Sequence, residues 1–114
     1  MANSFKSETD KEIGTSTATV FTCASSTQTT IIGLSVANRV SSQILIDVEL
    51  DASSRTSGAE DKVFLVKDAP IPVGGSLVVV GGDQKLVMEP GDTIKVTSDT
   101  ASSADVVVSH LDIT

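Results

Sequence analysis

His110 and Cys23, the one histidine and one cysteine of the chain, are the residues whose types best suit nucleophilic or metal chemistry. Ser109 precedes His110 and Asp112 follows two positions on, so the three residue types of a serine hydrolase triad stand close together. Their spacing works against one. Consecutive residues of a strand point to opposite faces, so Ser109 is not locally within reach of His110 as its base. No Gly-x-Ser-x-Gly elbow occurs elsewhere. His110 is therefore expected as a surface or edge-strand residue. A zinc site built on one His and one Cys would draw most of its ligands from carboxylates, which is an unusual supply. Cys23, between Thr22 and Ala24, has no second cysteine to pair with and no cation beside it. It reads as a small buried apolar residue.

Carboxylates are more numerous. Glu60-Asp61, Asp83 and Glu89 to Asp92 could converge at loop ends, but none shows the dense Asp-x-Asp-x-Asp-Gly spacing of a calcium loop. Solvated turn residues account for them. The pairs Gly74-Gly75 and Gly81-Gly82 precede neither a Lys-Ser/Thr pair nor a helix start, so they are expected as tight turns rather than phosphate loops. The sequence thus assigns no catalytic residue, cofactor site or metal ligand, and the reading is of a non-enzymatic protein.

Composition narrows the partners. With 114 residues the chain makes one domain able to bury about two-thirds of its unfolded surface without disulfides. Three Phe and no Trp or Tyr leave little for stacking sugars or bases. A net charge of −7 repels phosphate backbones, so no nucleic-acid partner is expected. No apolar run is long enough to span a membrane, and the first residues lack a hydrophobic signal region, so synthesis in the cytoplasm is expected.

The elements that would position these residues are strands. Thr30, Ile32, Leu34 and Val36 alternate with Ile31, Gly33, Ser35 and Ala37, and Ile44, Ile46, Val48 and Leu50 alternate with Gln43, Leu45, Asp47 and Glu49. Further strands are expected over 18–23, 62–67, 77–80, 85–88, 93–96 and 105–113, separated by Gly, Pro, Ser and Asp punctuation. Residues 51–61 form the longest loop. About eight strands and no helical periodicity indicate an all-β, antiparallel two-sheet sandwich over 18–114, of jelly-roll or immunoglobulin-like type. In Glu89-Pro90-Gly91-Asp92 the spacing predicts a type II turn with Gly91 at positive φ. Residues 1–17 are polar without periodicity and are expected as a flexible arm, with Phe5 and Ile13 as isolated anchors able to dock on a neighbour. Leu45, on a face that is otherwise wet, and Phe64 and Val66, opposite Val63 and Leu65, are candidate contact residues for self-association.

Three stretches, 30–44, 64–77 and 82–96 with the last strand, together resemble small β-sandwich virion proteins of tailed bacteriophages, particularly marine and cyanobacterial ones. The strand Thr30 to Asn38, the run Phe64-Leu65-Val66-Lys67-Asp68-Ala69-Pro70-Ile71-Pro72, and Met88-Glu89-Pro90-Gly91-Asp92 before Thr93 to Val96 carry the likeness. The resemblance covers 18–114 and implies a virion location and no catalytic residues. It implies a capsid decoration or cement protein contacting the major capsid protein, or else a neck, tail or fibre-attachment protein. It also favours a homo-oligomer, as a trimer. A cupin, whose turns look similar, would carry metal-binding histidines that this chain lacks. A ligand- or carbohydrate-binding sandwich is the alternative from a different class.

Overall fold

Period-two alternation is realised in nine strands and no helix among the residues described by the computed structural model, 3–55 and 62–114. The strands are β1 (Asn3–Ile13), β2 (Ala18–Thr22), β3 (Gln28–Asn38), β4 (Ile44–Asp51), β5 (Lys62–Ile71), β6 (Ser76–Val80), β7 (Leu86–Met88), β8 (Thr93–Ser98) and β9 (Ala104–Ile113). One sheet runs β1-β9-β3-β6, with β7 beside β3, and the other runs β2-β8-β4-β5. All pairs are antiparallel.

This order is that of a long hairpin rolled up on itself. The tip is β4–β5; β3 then meets β6 and β7, β2 meets β8, and β1 meets β9. It is the jelly-roll arrangement, and it differs from the immunoglobulin order, in which the first two strands are neighbours. The core lies between the sheets. Ile31, Leu34, Val36, Val106 and Val108 from one side meet Ile44, Ile46, Val48, Ile94 and Val96 from the other, all nearly inaccessible to water.

The turns follow from their glycines. Asp92 donates its backbone N–H to the Glu89 carbonyl at 3.0 Å, and Gly91 has φ 89°, as the predicted type II turn requires.

Two expectations are corrected. Asn3–Ile13 of the expected flexible arm is strand β1, in register with β9 from Asn3↔Ile113 to Asp10↔Val106. Its core-facing side is Ser4, Lys6, Glu8 and Asp10, so it carries no alternating apolar signal, and it supplies the ninth strand. Ile13 is not a docking anchor: it is 3% exposed and lies in the core. The loop over 51–61 is described only as far as Arg55, and the carboxylates of Glu60 and Asp61 lie outside the described residues.

Candidate interaction surface and the buried His110 network

His110 is 1% exposed, not a surface residue, because β9 is flanked on both sides by β1 and β3. Its ring lies 4.4 Å, centroid to centroid, from Phe21 on β2. Nδ1 is 2.8 Å from Asp112 Oδ1 and Nε2 is 3.0 Å from Glu8 Oε2. Asp112 is beside His110 because residues two apart in a strand share a face. Glu8 arrives from β1, where it pairs with Val108, and reaches diagonally across. Both carboxylates accept when ionised, so the two contacts are complete when each ring nitrogen carries a proton.

The chain of polar contacts continues inward. Thr29 donates its hydroxyl to Asp112 Oδ1 at 2.8 Å, and Cys23 Sγ lies 3.3 Å from Thr29 Oγ1. Burial, the largest influence, pushes the Cys23 thiol up, and its side-chain contact with Thr29 acts the other way. Cys23 is thus a buried, protonated thiol at neutral pH, as its neutral flanks lead one to expect. The run Cys23–Thr29–Asp112–His110–Glu8 resembles a nucleophile–base relay in its residue types. Its geometry serves another purpose. Both imidazole nitrogens already face carboxylates, leaving neither to take a proton from a substrate. Ser109 lies on the opposite face of β9, where it pairs with Ser7 and Gly33. The network ties β1 to β9 and to the interior of the sandwich.

A buried carboxylate sits at the turn before β8. Asp92 is inaccessible to water and receives Arg55 Nε at 3.1 Å and Nη2 at 2.5 Å, while Arg55 Nη1 lies 3.2 Å from Glu89. Those contacts hold the Arg55 guanidinium above its ordinary range, the hydrogen bond to Asp92 first. Glu89 donates its backbone N–H to the same carboxylate at 3.0 Å. A buried carboxylate satisfied in this way fixes a turn. Among the described residues no group of three or more His, Cys, Asp or Glu is arranged to hold a metal ion.

The two outer faces of the sandwich differ sharply. On the four-stranded sheet, Lys67 pairs with Asp47 at 3.1 Å and Lys95 with Asp51 at 3.0 Å. Leu45 and Phe64 lie there. Leu45 is half-buried opposite Pro70, and Phe64 is exposed opposite Glu49 with the Lys67 ammonium 5.2 Å from its ring centre. Val66 does not join them. Irregularities in the β4–β5 register set Phe64 opposite Glu49 but Val66 opposite the buried Val48, so Val66 turns toward the core.

The outer face of the five-stranded sheet carries no charge over three successive rows. Phe5, Leu111, Thr30 and Val87 stand side by side in one row, and Ser7, Ser109 and Gly33 in the next. Thr9, Val107, Ser35 and Val78 make the third. Phe5 is 75% exposed, Val78 66%, Val87 61% and Val107 44%. Of the residues expected to make contacts, Phe5 alone belongs to this patch. The signal for Val78, Val87 and Val107 lies in the unbroken apolar runs Leu77 to Val80, Leu86 to Met88 and Val106 to Val108, because in a strand an uninterrupted apolar run puts apolar side chains on both faces. Comparison of the chain with protein families, characterised proteins and solved structures returns no match.

Proposed function

We propose that this chain is a non-enzymatic structural protein of a bacteriophage virion, a capsid decoration protein that acts by docking on other proteins of the particle and associating with itself. The observation that carries this reading is the uncharged outer face of the five-stranded sheet on a chain of net charge −7. Large exposed apolar patches on a soluble domain mark contact sites. Charge depletion with an apolar centre is the compositional signal of an interface core. The buried polar network supports it as well, since it holds the edge strand β1, and with it Phe5, in a fixed position on that face.

The test is to locate the protein in purified virions and measure its copy number relative to the major capsid protein. Decoration predicts many copies on the head; a few copies at one vertex or on the tail would favour the neck, tail or fibre-attachment form. Val87→Glu and Val107→Glu, each placing a charge on the exposed face, should fold normally yet fail to attach to particles. A variant pair that attaches as well as the parent would refute this use of the face.

A further inference from the structure

The outer edge of β1 pairs with no other strand among the described residues, and over Asn3–Asp10 alternate residues turn their backbone donors and acceptors to that open edge. Such an edge is a template for another strand. Its side chains determine which strand fits. Lys6 and Glu8 share the core-facing side of β1, and Lys6, exposed, makes no ion pair among the described residues. Glu8 uses only Oε2 on His110, which leaves Oε1 for a second donor.

We propose that β1 pairs with β1 of a second copy of this chain, antiparallel about a two-fold axis at Ser7, joining two five-stranded sheets into one. The proposal rests on the self-association in the reading above and names its surface and register. In a continuous sheet, core-facing residues pair with core-facing residues, so only alternate registers are open. Centring the axis so that Lys6 faces Lys6 of the other copy, or Glu8 faces Glu8, sets like charges opposite each other. The next register sets Glu8 against Asp10. Centring on Ser7 brings Lys6 opposite Glu8 twice, by symmetry, with no like-charged pair anywhere along the strand. The same register sets Ser4 against Asp10, Asn3 against Lys11, and the exposed ring of Phe5 beside Thr9. Opposite charges directly across a strand pair attract and like charges repel. For two copies of a chain of net charge −7, a contact with two attractive pairs at its centre counts for most at close approach.

The test is cross-linking by register. Ser7→Cys places two thiols directly across the axis, at a separation a disulfide can span, whereas Thr9→Cys faces Phe5 of the other copy. At about 50 μM protein, under mild oxidation, Ser7→Cys should give a covalent dimer at least about tenfold faster than Thr9→Cys, a separation expected where the Kd is ~10 μM or below. Lys6→Glu turns both attractive pairs repulsive and should weaken dimerisation by at least about tenfold, read by sedimentation, with the melting temperature unchanged at dilutions where the parent is itself monomeric. The pairing is overturned by equal cross-linking rates at the two positions, or by a dimer mass unchanged in Lys6→Glu. It is equally overturned by a parent protein that stays monomeric or forms the trimer the phage resemblance favours. A monomer that still attaches to virions would overturn this contact and leave the structural role standing.

Discussion

Replacing His110 by Leu tests whether the network on β9 ties the edge strand to the sandwich. Leucine approximates the imidazole in volume and keeps the contact with Phe21, so little cavity is created. What is lost is the pair of contacts to Asp112 and Glu8. The Asp112 side chain is 19% exposed, and a hydrogen bond to a charged group in such a setting contributes about 1.5–3 kcal/mol. Glu8 is 44% exposed, and its contact is discounted to about 0.5–1 kcal/mol for solvent screening. Their sum, about 2–4 kcal/mol, is the expected destabilisation. The apolar gain is small, because leucine only replaces an imidazole that is already buried, and the Asp112 and Glu8 carboxylates each lose a partner. Urea unfolding at an unchanged m-value measures it. Hydrogen exchange locates it, with β1 amides losing protection before those of β3 and β8. A variant within about 0.5 kcal/mol of the parent, or uniform loss of protection with no early opening of β1, would refute the argument.

Other substitutions address separate links. Gly91→Ala should cost about 1–2 kcal/mol for the positive φ alone, plus crowding, because a Cβ there would lie 2.5 Å from Ser54 Oγ and 3.1 Å from its Cβ. Ser54→Gly in the same chain should recover the crowding part only, as a thermal-melt cycle would show. Asp51 is held below its ordinary 3.8 by hydrogen bonds from the Ser53 side chain and backbone and from Lys95. A lowered carboxylate contributes stability that is present above pH 3.8 and lost as pH falls below it, so Asp51→Asn should flatten the acid limb of the stability–pH profile. Cys23, buried with its thiol pushed up, should resist iodoacetamide at pH 7.5 until the protein unfolds, a protection that mass spectrometry reads directly.

Strands facing the core on one side and water on the other could be read from residue types alone, which is why β2 to β9 stand close to where alternation places them, although in β3 a register shift between Ile31 and Gly33 puts Ile31 in the core and Thr30 on the outer face, the reverse of the sides that alternation gives them. β1 could not. It lies at the rim, where its inward side covers little of the core, and the side chains there are Ser4, Lys6, Glu8 and Asp10. A strand recognised by what it pairs with, here β9 at the far end of the chain, carries no local signature. Irregular register has the same effect on Val66. The alternation that sets it beside Phe64 breaks between Phe64 and Val66 themselves, where two successive β4 residues, Glu49 and Val48, are matched by three residues of β5, and no composition rule announces the break. For the His110 network, half was visible: Asp112 at two residues' distance shares a face with His110. The other half, Glu8, is brought 102 residues along the chain by the closing of the roll.

The two contact surfaces proposed for this chain are geometrically linked, and the link yields its own prediction. A two-fold axis perpendicular to the joined sheet leaves both outer faces on the same side, so pairing at β1 sets two uncharged faces next to each other. A flat target would then be gripped by two faces at once. The second contact forms at high effective concentration, and avidity can exceed the single-face affinity by roughly 10²-fold or more. Lys6 points to the core side and takes no part in the outer face, so a direct effect of Lys6→Glu on docking is not expected. If the two surfaces act together, Lys6→Glu should nonetheless weaken attachment to particles in proportion to the dimer it removes. Adding back the covalent Ser7→Cys link should restore it. Attachment indifferent to Lys6→Glu, in a protein shown to have lost its dimer, would separate the two surfaces and leave each face acting alone.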